Sequence, residues 1–314
     1  MPVILKLLKK LDAYIICLQE LDIQCERSKN SNNFEEIGKE LQMNGVFVCE
    51  FEELHSPIRG ALTQGGGWHG NAIFSHFPIQ SSWQLEHTHA LDWEKQGESF
   101  KEPRKGNRHA IGADIRVGEY LVRCYSLHLE IFCGIARRKP QYLEVQKDCL
   151  QKEPPSDIQL IFGDFNTMAH GFARLIPRYC NDRYRFSSLG LSEARWWELN
   201  VFKSGTAHFQ HFLDPFHKTR DWTLWHVKGM IFKGKLDWTL VRGTKILNWS
   251  MHNLDFAASD HRLLYLEIES IPTNPILAHH QNMMLAFLCN YRFFGWFSNV
   301  FLVIGMLLLF FCST

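Results

Sequence analysis

Apolar positions along this chain follow two rhythms, and the switches between them set out the elements. Residues 4, 7, 8 and 11 are apolar, with lysines at 6, 9 and 10, the spacing of an amphipathic helix that covers a core. Asp12 interrupts the apolar character, so this start does not read as an export signal. Residues 13–18 form an apolar strand that ends in Gln19 and Glu20, and residues 22–33 are a polar, Asn/Ser-rich loop. A helix is predicted over 34–43 and a strand over 46–51. The glycine-rich run 65–70 leads into a strand at 71–75, closed by Pro78, and is expected to be a mobile connection at a site rim. Residues 94–108 carry Lys95, Lys101, Arg104, Lys105 and Arg108 among Gly and Pro, and predict an exposed basic loop.

Strands follow at 110–117 and 120–129, a hairpin over Gly118-Glu119, and then a helix over 136–150 stopped by Pro154-Pro155. The run 158–162 is wholly apolar, as a strand covered on both faces requires. Residues 168–230 are mixed and aromatic. Strands return at 236–241, 245–249 and 263–268, and 271–282, with Pro272 and Pro275, read as a linker. Strands outnumber helices, and helices lie between some of them. This predicts an α/β sandwich of two packed sheets flanked by helices, one domain over residues 1–270.

The last stretch breaks both rhythms. Residues 293–312 carry no charge, and Ser298 and Asn299 are their only strongly polar side chains. At a rise of ~1.5 Å per residue, 20 residues reach roughly 30 Å, the thickness of a bilayer's hydrocarbon. The expectation is a C-terminal transmembrane helix within an anchor region 284–314, after a linker 271–283. With no export signal, the body would face the cytosol.

Composition changes this picture little. The 314 residues are 46% hydrophobic with a net charge of +1, and 24 Phe with ten Trp allow a large core. Without the tail, 33 basic residues face 33 acidic ones, which argues against a broad basic footprint for duplex nucleic acid. Nine dispersed cysteines, an odd number with no CxxC pair, suit reduced thiols and offer no thiolate zinc site.

The candidate chemistry sits where apolar runs end. Glu20 closes a strand and offers hard oxygen for Mg²⁺, with Mn²⁺ possible, rather than Zn²⁺. Asp164 and Asn166, two apart after a buried strand, leave the pleat on one face, where they could address one phosphate or one attacking water. Asp260-His261 puts a ligand beside a base that works near neutral pH, and Asp237 could fix that base's tautomer. His128 closes another apolar strand and could donate to a phosphoryl oxygen. Each also has a plain structural reading: a solvated strand-end Glu, an Asx turn at 164–166, a structural His. His87, His89 and His279-His280 lack the partners or spacing for a metal and are assigned to the surface. Residues 65–70 lack Gly-Lys-Ser/Thr and precede a strand, so they are not a nucleotide phosphate loop. Ser75 has no Gly-x-Ser-x-Gly setting, which disfavours serine-hydrolase chemistry.

Taken together, Leu18-Gln19-Glu20, Gly70–Ile79, Ser126–Leu129, Gly163-Asp164-Phe165-Asn166, Leu236-Asp237-Trp238 and Ser259-Asp260-His261 resemble the endonuclease/exonuclease/phosphatase superfamily, the DNase I-like fold. The resemblance spans residues 13–267. It implies a four-layer α/β/β/α sandwich of two mixed sheets and Mg²⁺-dependent phosphoester hydrolysis. By position, Glu20 would hold the metal and Asp260 would complete that site or its outer shell. His128 and Asn166 would contact the phosphate, and Asp164 would steer the nucleophile or protonate the leaving group. Asp237 would orient His261, the general base. The resemblance also leads one to expect a further strand before Glu20 carrying an Asn. Only 19 residues precede Glu20, and they read as helix then strand.

The expected function is a membrane-anchored, metal-dependent phosphodiesterase. A membrane span beside such a domain is similar to the neutral sphingomyelinases, and so points to a lipid headgroup. A nuclease is the alternative, kept open by the basic runs 101–108, 137–139 and 178–185 through phosphate contacts. A catalytically impaired binding module at a membrane surface is the third reading. Inositol-phosphate 5-phosphatases are disfavoured, because their Trp-x-Gly-Asp-x-Asn-Arg type run is absent.

Overall fold

The computed structural model describes residues 2–167, 176–177, 179–184, 192–202, 212–216, 222–225 and 233–270, and the backbone of 282–288. The anticipated first helix is α1 (Pro2–Leu11), which buries Ile4, Leu5 and Leu8. It is followed by β1 (Ile15–Ile23), α2 (Asn33–Leu41), β2 (Asn44–Glu53), β3 (Gly67–Ser75) and β4 (Ile79–Glu86). The Asn32 side chain starts α2 by accepting from Glu35 N at 3.2 Å. Then come α3 (Trp93–Gln96), β5 (Arg104–Gly106), β6 (His109–Val117), β7 (Tyr120–His128), α4 (Ile135–Gln151), β8 (Ile158–Asp164) and α5 (Glu193–Trp197). The last strands are β9 (Leu224–Trp225), β10 (Lys233–Gly234), β11 (Asp237–Arg242), β12 (Thr244–His252), β13 (Leu263–Ser270) and β14 (Asn282–Leu288).

These strands make two mixed sheets, in the orders β12-β13-β14-β1-β3-β2-β5 and β11-β8-β7-β6-β4, beside a small β9-β10 pair. The two-residue period of each strand decides which layer a side chain joins. On β1, Ile15 and Cys17 point between the sheets, where they meet Ile111, Val122, Cys124, Leu160 and Phe162. Ile16 and Leu18 point the other way and pack with Ile4, Leu8 and Ile37 of α1 and α2. On the second sheet, Tyr125, Leu127 and Ile161 face outward onto Tyr142 and Val145 of α4 and Trp197 of α5. The layers are therefore helix, sheet, sheet and helix. Each fully buried Leu or Ile contributes about 1.5–3 kcal/mol through apolar burial.

Three sequence expectations are corrected. The glycine run is not a mobile connection over its whole length, because Gly67–Gly70 is the start of β3, paired with both β1 and β2. Gly70 is needed there, since a Cβ would meet the Val48 carbonyl oxygen at 1.9 Å. The stretch 94–108 is only partly an exposed basic loop: Lys95, Lys101 and Lys105 are exposed, but its arginines are not. Arg104 and Arg108 are both only 1% exposed, paired with Glu102 and Glu50. His87 is not at the surface but buried, with Nδ1 3.1 Å from Glu144.

The sequence divides 282–288 between linker and anchor region, whereas here the segment is β14. It runs parallel to β1 with Leu288 opposite Leu18, and antiparallel to β13 with Leu288 opposite Leu263. Among the described residues no helix is long and apolar enough to cross a membrane. The expected transmembrane stretch 293–312, like His279-His280, lies outside the described residues.

Candidate active site

Neighbouring strand ends bring the candidate side chains together at one rim of the sandwich. In the second sheet, His128 on β7 pairs in register with Asp164 on β8, and Asp164 pairs with Asp237 on β11. Three functional groups thus stand abreast across three strands. The register depends on Gly163, whose φ is 152° and where a Cβ would lie 1.9 Å from the Leu127 carbonyl oxygen. From the first sheet comes Glu20, displaced by a bulge between Leu18 and Leu21 and held at φ 57°. Such a bulge re-aims a side chain, and a non-glycine residue in this region costs of order 1–3 kcal/mol. Gln19 Nε2 donates to Ser126 Oγ at 2.7 Å, and Ser126 Oγ donates to the Leu18 carbonyl at 3.2 Å, tying the two sheets beside the cleft.

His128 stands between two carboxylates, with Nδ1 3.7 Å from Glu20 Oε1 and Nε2 3.6 Å from Asp164 Oδ2. Its Nδ1 is also 3.0 Å from Arg108 Nη1. A guanidinium only donates, so Nδ1 must accept and the ring proton belongs on Nε2. Arg108 is held in turn by Glu50, 2.7 Å away. Sequence reasoning missed both residues. Arg108 reads as one charge in a basic loop, and Glu50 as one polar residue in a mostly apolar strand.

Asp164 ends β8 and caps an Asx turn, with its Oδ1 accepting from Asn166 N at 2.7 Å. Asn166, at φ 49°, commits one amide hydrogen to the Leu129 carbonyl at 2.8 Å, which leaves the other to reach a ligand. The structural and the functional readings of this pair thus coexist. Burial, and then the charge of Asp237, push the Asp164 carboxyl up to about 7. Asp237 Oδ2 lies 2.9 Å from His261 Nδ1. Burial opposes the imidazolium, but Asp237, Asp164 and Asp260 outweigh it and push His261 up to about 10.

Asp164, Asp237 and His261 each present a ligand atom within 4.8 Å of the others, all buried. Asp237 Oδ1 is buried without a hydrogen-bond partner, and the Asp164 carboxyl is crowded by a like charge. The carboxylates, with one oxygen lacking a partner, fit a hard divalent ion. Glu20 and Asp260, the metal ligands expected from sequence, lie outside that trio. Glu20 is reached through His128, and Asp260 is next to His261 in the chain.

The family model described as "Endonuclease/Exonuclease/phosphatase family" matches residues 3–261. No curated protein matches the chain. Among solved structures, the endonuclease/exonuclease/phosphatase from Beutenbergia cavernae is 12% identical with a TM-score of 0.54, over 87% of this chain and 76% of that one. Its counterpart from Bacteroides vulgatus is 12% identical with a TM-score of 0.55, over 86% and 89%. ANGEL2, described as a 2',3'-cyclic phosphatase, is 16% identical with a TM-score of 0.52, over 85% and 84%. At such identity these structures speak for the fold alone. With a model matched over most of its length, the chain belongs to the endonuclease/exonuclease/phosphatase family, whose members are mostly hydrolases of phosphoesters.

Proposed function

We propose that this protein is a Mg²⁺-dependent phosphodiesterase, with Mn²⁺ an alternative ion, that acts on a phosphoester at a membrane, the lipid headgroup being the first candidate. The observation that carries the reading is the convergence of Glu20, His128, Asp164, Asn166, Asp237 and His261 from both sheets at one rim. A divalent ion held among these carboxylates would neutralise phosphate charge and polarise the ester. The chain's own groups divide the remaining work. Asp237 at Nδ1 orients His261, which makes Nε2 the nitrogen that takes a proton from water. At neutral pH the ring carries a proton while the carboxylates around it are bare. The ring can act as a base once an ion held among those carboxylates balances their charge. Arg108 fixes the Nε2–H of His128, a neutral donor for a phosphoryl oxygen. Asp164, one of the carboxylates that would hold the ion, steers the attacking water beside it.

The membrane part of the proposal rests on the uncharged stretch 293–312, with the body in the cytosol. The nuclease alternative loses part of its ground. Of the basic runs, Arg104, Arg108 and Arg138 are buried in ion pairs, so fewer cations remain for a phosphate backbone. The impaired binding module is the remaining reading. Turnover of a model diester, bis(p-nitrophenyl) phosphate, with Mg²⁺ tests the enzyme reading. Wild type should turn over, EDTA should stop it, and Glu20→Gln and His261→Ala should each lose roughly 10²-fold or more. Equal rates in all three proteins would end it. Deleting residues 293–314, which spares β14, should move the protein from membrane pellet to supernatant. Sphingomyelin vesicles and labelled single-stranded RNA, offered to the same preparation, separate lipid from nucleic-acid substrate.

A further inference from the structure

The short segment Trp222–Trp225 has no role in the chemistry described so far, yet it touches both members of the Asp237–His261 pair. Thr223 is fully buried. Its Oγ1 accepts from Leu236 N at 3.0 Å and from Asp237 N at 3.1 Å, at the point where β11 delivers its carboxylate. Its backbone N–H donates to the Gly234 carbonyl at 2.7 Å, and its carbonyl accepts from Arg262 N at 2.7 Å. One residue later, Leu224 bridges His261, and Trp225 N donates to the Asp260 carbonyl at 3.0 Å. The segment is therefore a strap, bonded on one side to 234–237 and on the other to 260–262.

Its outer end is fixed as well. Trp222 stacks on Phe256 with ring centroids 5.5 Å apart and planes 5° apart. The Arg262 guanidinium lies 4.0 Å from the Trp222 ring centroid, and Arg262 Nη1 donates to the Trp222 carbonyl at 3.2 Å. Asp237 opens β11 of the second sheet, while His261 lies 24 residues on, two residues before β13 of the first. Nothing in β11 alone, or in the 259–261 turn alone, sets the 2.9 Å between them. β11 and the 259–261 turn are not ladder neighbours, so a segment bonded to both is what can set that distance.

We propose that Thr223 is the positioning residue of this site: its hydroxyl and carbonyl lock the backbones that carry Asp237 and His261 into one rigid unit. The proposal rests on the hydrolase reading for its activity readout, and on the geometry alone for its structural one. Valine at 223 keeps the shape and removes the acceptor, which leaves two buried amides unsatisfied and Asp237 less constrained. Serine keeps the acceptor. A misplacement of the reacting geometry by a fraction of an ångström to one ångström acts on turnover rather than on substrate capture.

The test compares wild type, Thr223→Val, Thr223→Ser and Thr223→Ala in the full chain. Alanine opens space for a water at the two amides, so it serves if the valine variant does not fold. On bis(p-nitrophenyl) phosphate with Mg²⁺, Thr223→Val and Thr223→Ala should lose roughly 10- to 100-fold in kcat with KM little changed, and Thr223→Ser should recover most of it. In the Asp237→Asn background the valine change should cost nothing further, because its effect runs through that side chain. The second readout is the low-field proton resonance of the His261 Nδ1–H to Asp237 hydrogen bond. It should survive in Thr223→Ser and broaden or vanish in Thr223→Val and Thr223→Ala. Wild-type kcat with an unchanged resonance in the folded valine or alanine variant overturns the proposal, as does a serine variant no better than valine. If wild type turns nothing over, the hydrolase reading fails, while the resonance still decides the role of Thr223.

Discussion

At the scale of single residues, the fold buries charges that stability alone would not favour, many of them balanced by an opposite charge. Asp22, just past Glu20 on β1, shows the balance best. Burial would raise its carboxyl, but the Arg27 guanidinium, 2.6 Å away, and His69, 2.8 Å away, bring it down to about 2. A carboxyl depressed in the folded state stabilises above its unfolded value of 3.8 and loses that contribution as pH falls toward 2. Asp22→Asn should therefore lower stability by roughly 2 kcal/mol at neutral pH and by little near pH 2, read from urea midpoints across that window. Arg108 gives a second prediction. Arg108→Met leaves the Glu50 carboxylate buried with the His109 amide but no counter-charge, which should cost roughly 3–5 kcal/mol. Arg108→Met with Glu50→Gln should recover much of the melting temperature but not the turnover, since the tautomer of His128 stays unfixed. Recovery of both would show that Arg108 acts only as a counter-charge.

At the scale of elements, the sequence was a good guide where chemistry follows an apolar run. Asp164 and Asn166 were visible because residues 158–162 can only be a covered strand, and the turn after it must sit at a sheet end. Asp237 and His261 stood out through their chemistry, a base beside a carboxylate with a second carboxylate to fix its tautomer. Arg108 did not, because its partner Glu50 is 58 residues away and no local pattern announces the pair. The error over residues 94–108 has the same origin: charge counts cannot separate a solvated cation from one bound to a buried carboxylate. Thr223 lay in a mixed aromatic stretch with no period to read. The β7-β8 pairing carries its own prediction. Gly163→Ala places a Cβ against the Leu127 carbonyl in a strained backbone region, so the strands must part just where His128 and Asp164 align. A fall in melting temperature with near-total loss of turnover is expected, measured by calorimetry and the diester assay. A variant with unchanged turnover would mean the register tolerates what the geometry forbids.

At the scale of the whole molecule, two sheets packed through apolar faces and tied by the Gln19–Ser126 hydrogen bond present their functional groups at a common rim. A divalent ion bound there would link strands from across the molecule and so favour the folded state by mass action. Mg²⁺ should raise the melting temperature in a concentration-dependent way, and Asp164→Asn combined with Asp237→Asn should remove the rise. A Mg²⁺-dependent shift that persists in that double variant would place the ion elsewhere.

The direction of β14 has one more consequence. Because it runs alongside β1 in the same sense and ends opposite Leu18, the polypeptide departs two residues' travel from Glu20, on the mouth side of the sandwich. Only four residues separate Leu288 from Phe293, a leash of under about 20 Å even when stretched. Under the membrane proposal, a surface that received residues 293–312 would be one the mouth looks toward, and a ligand embedded in it would need little lifting to be reached.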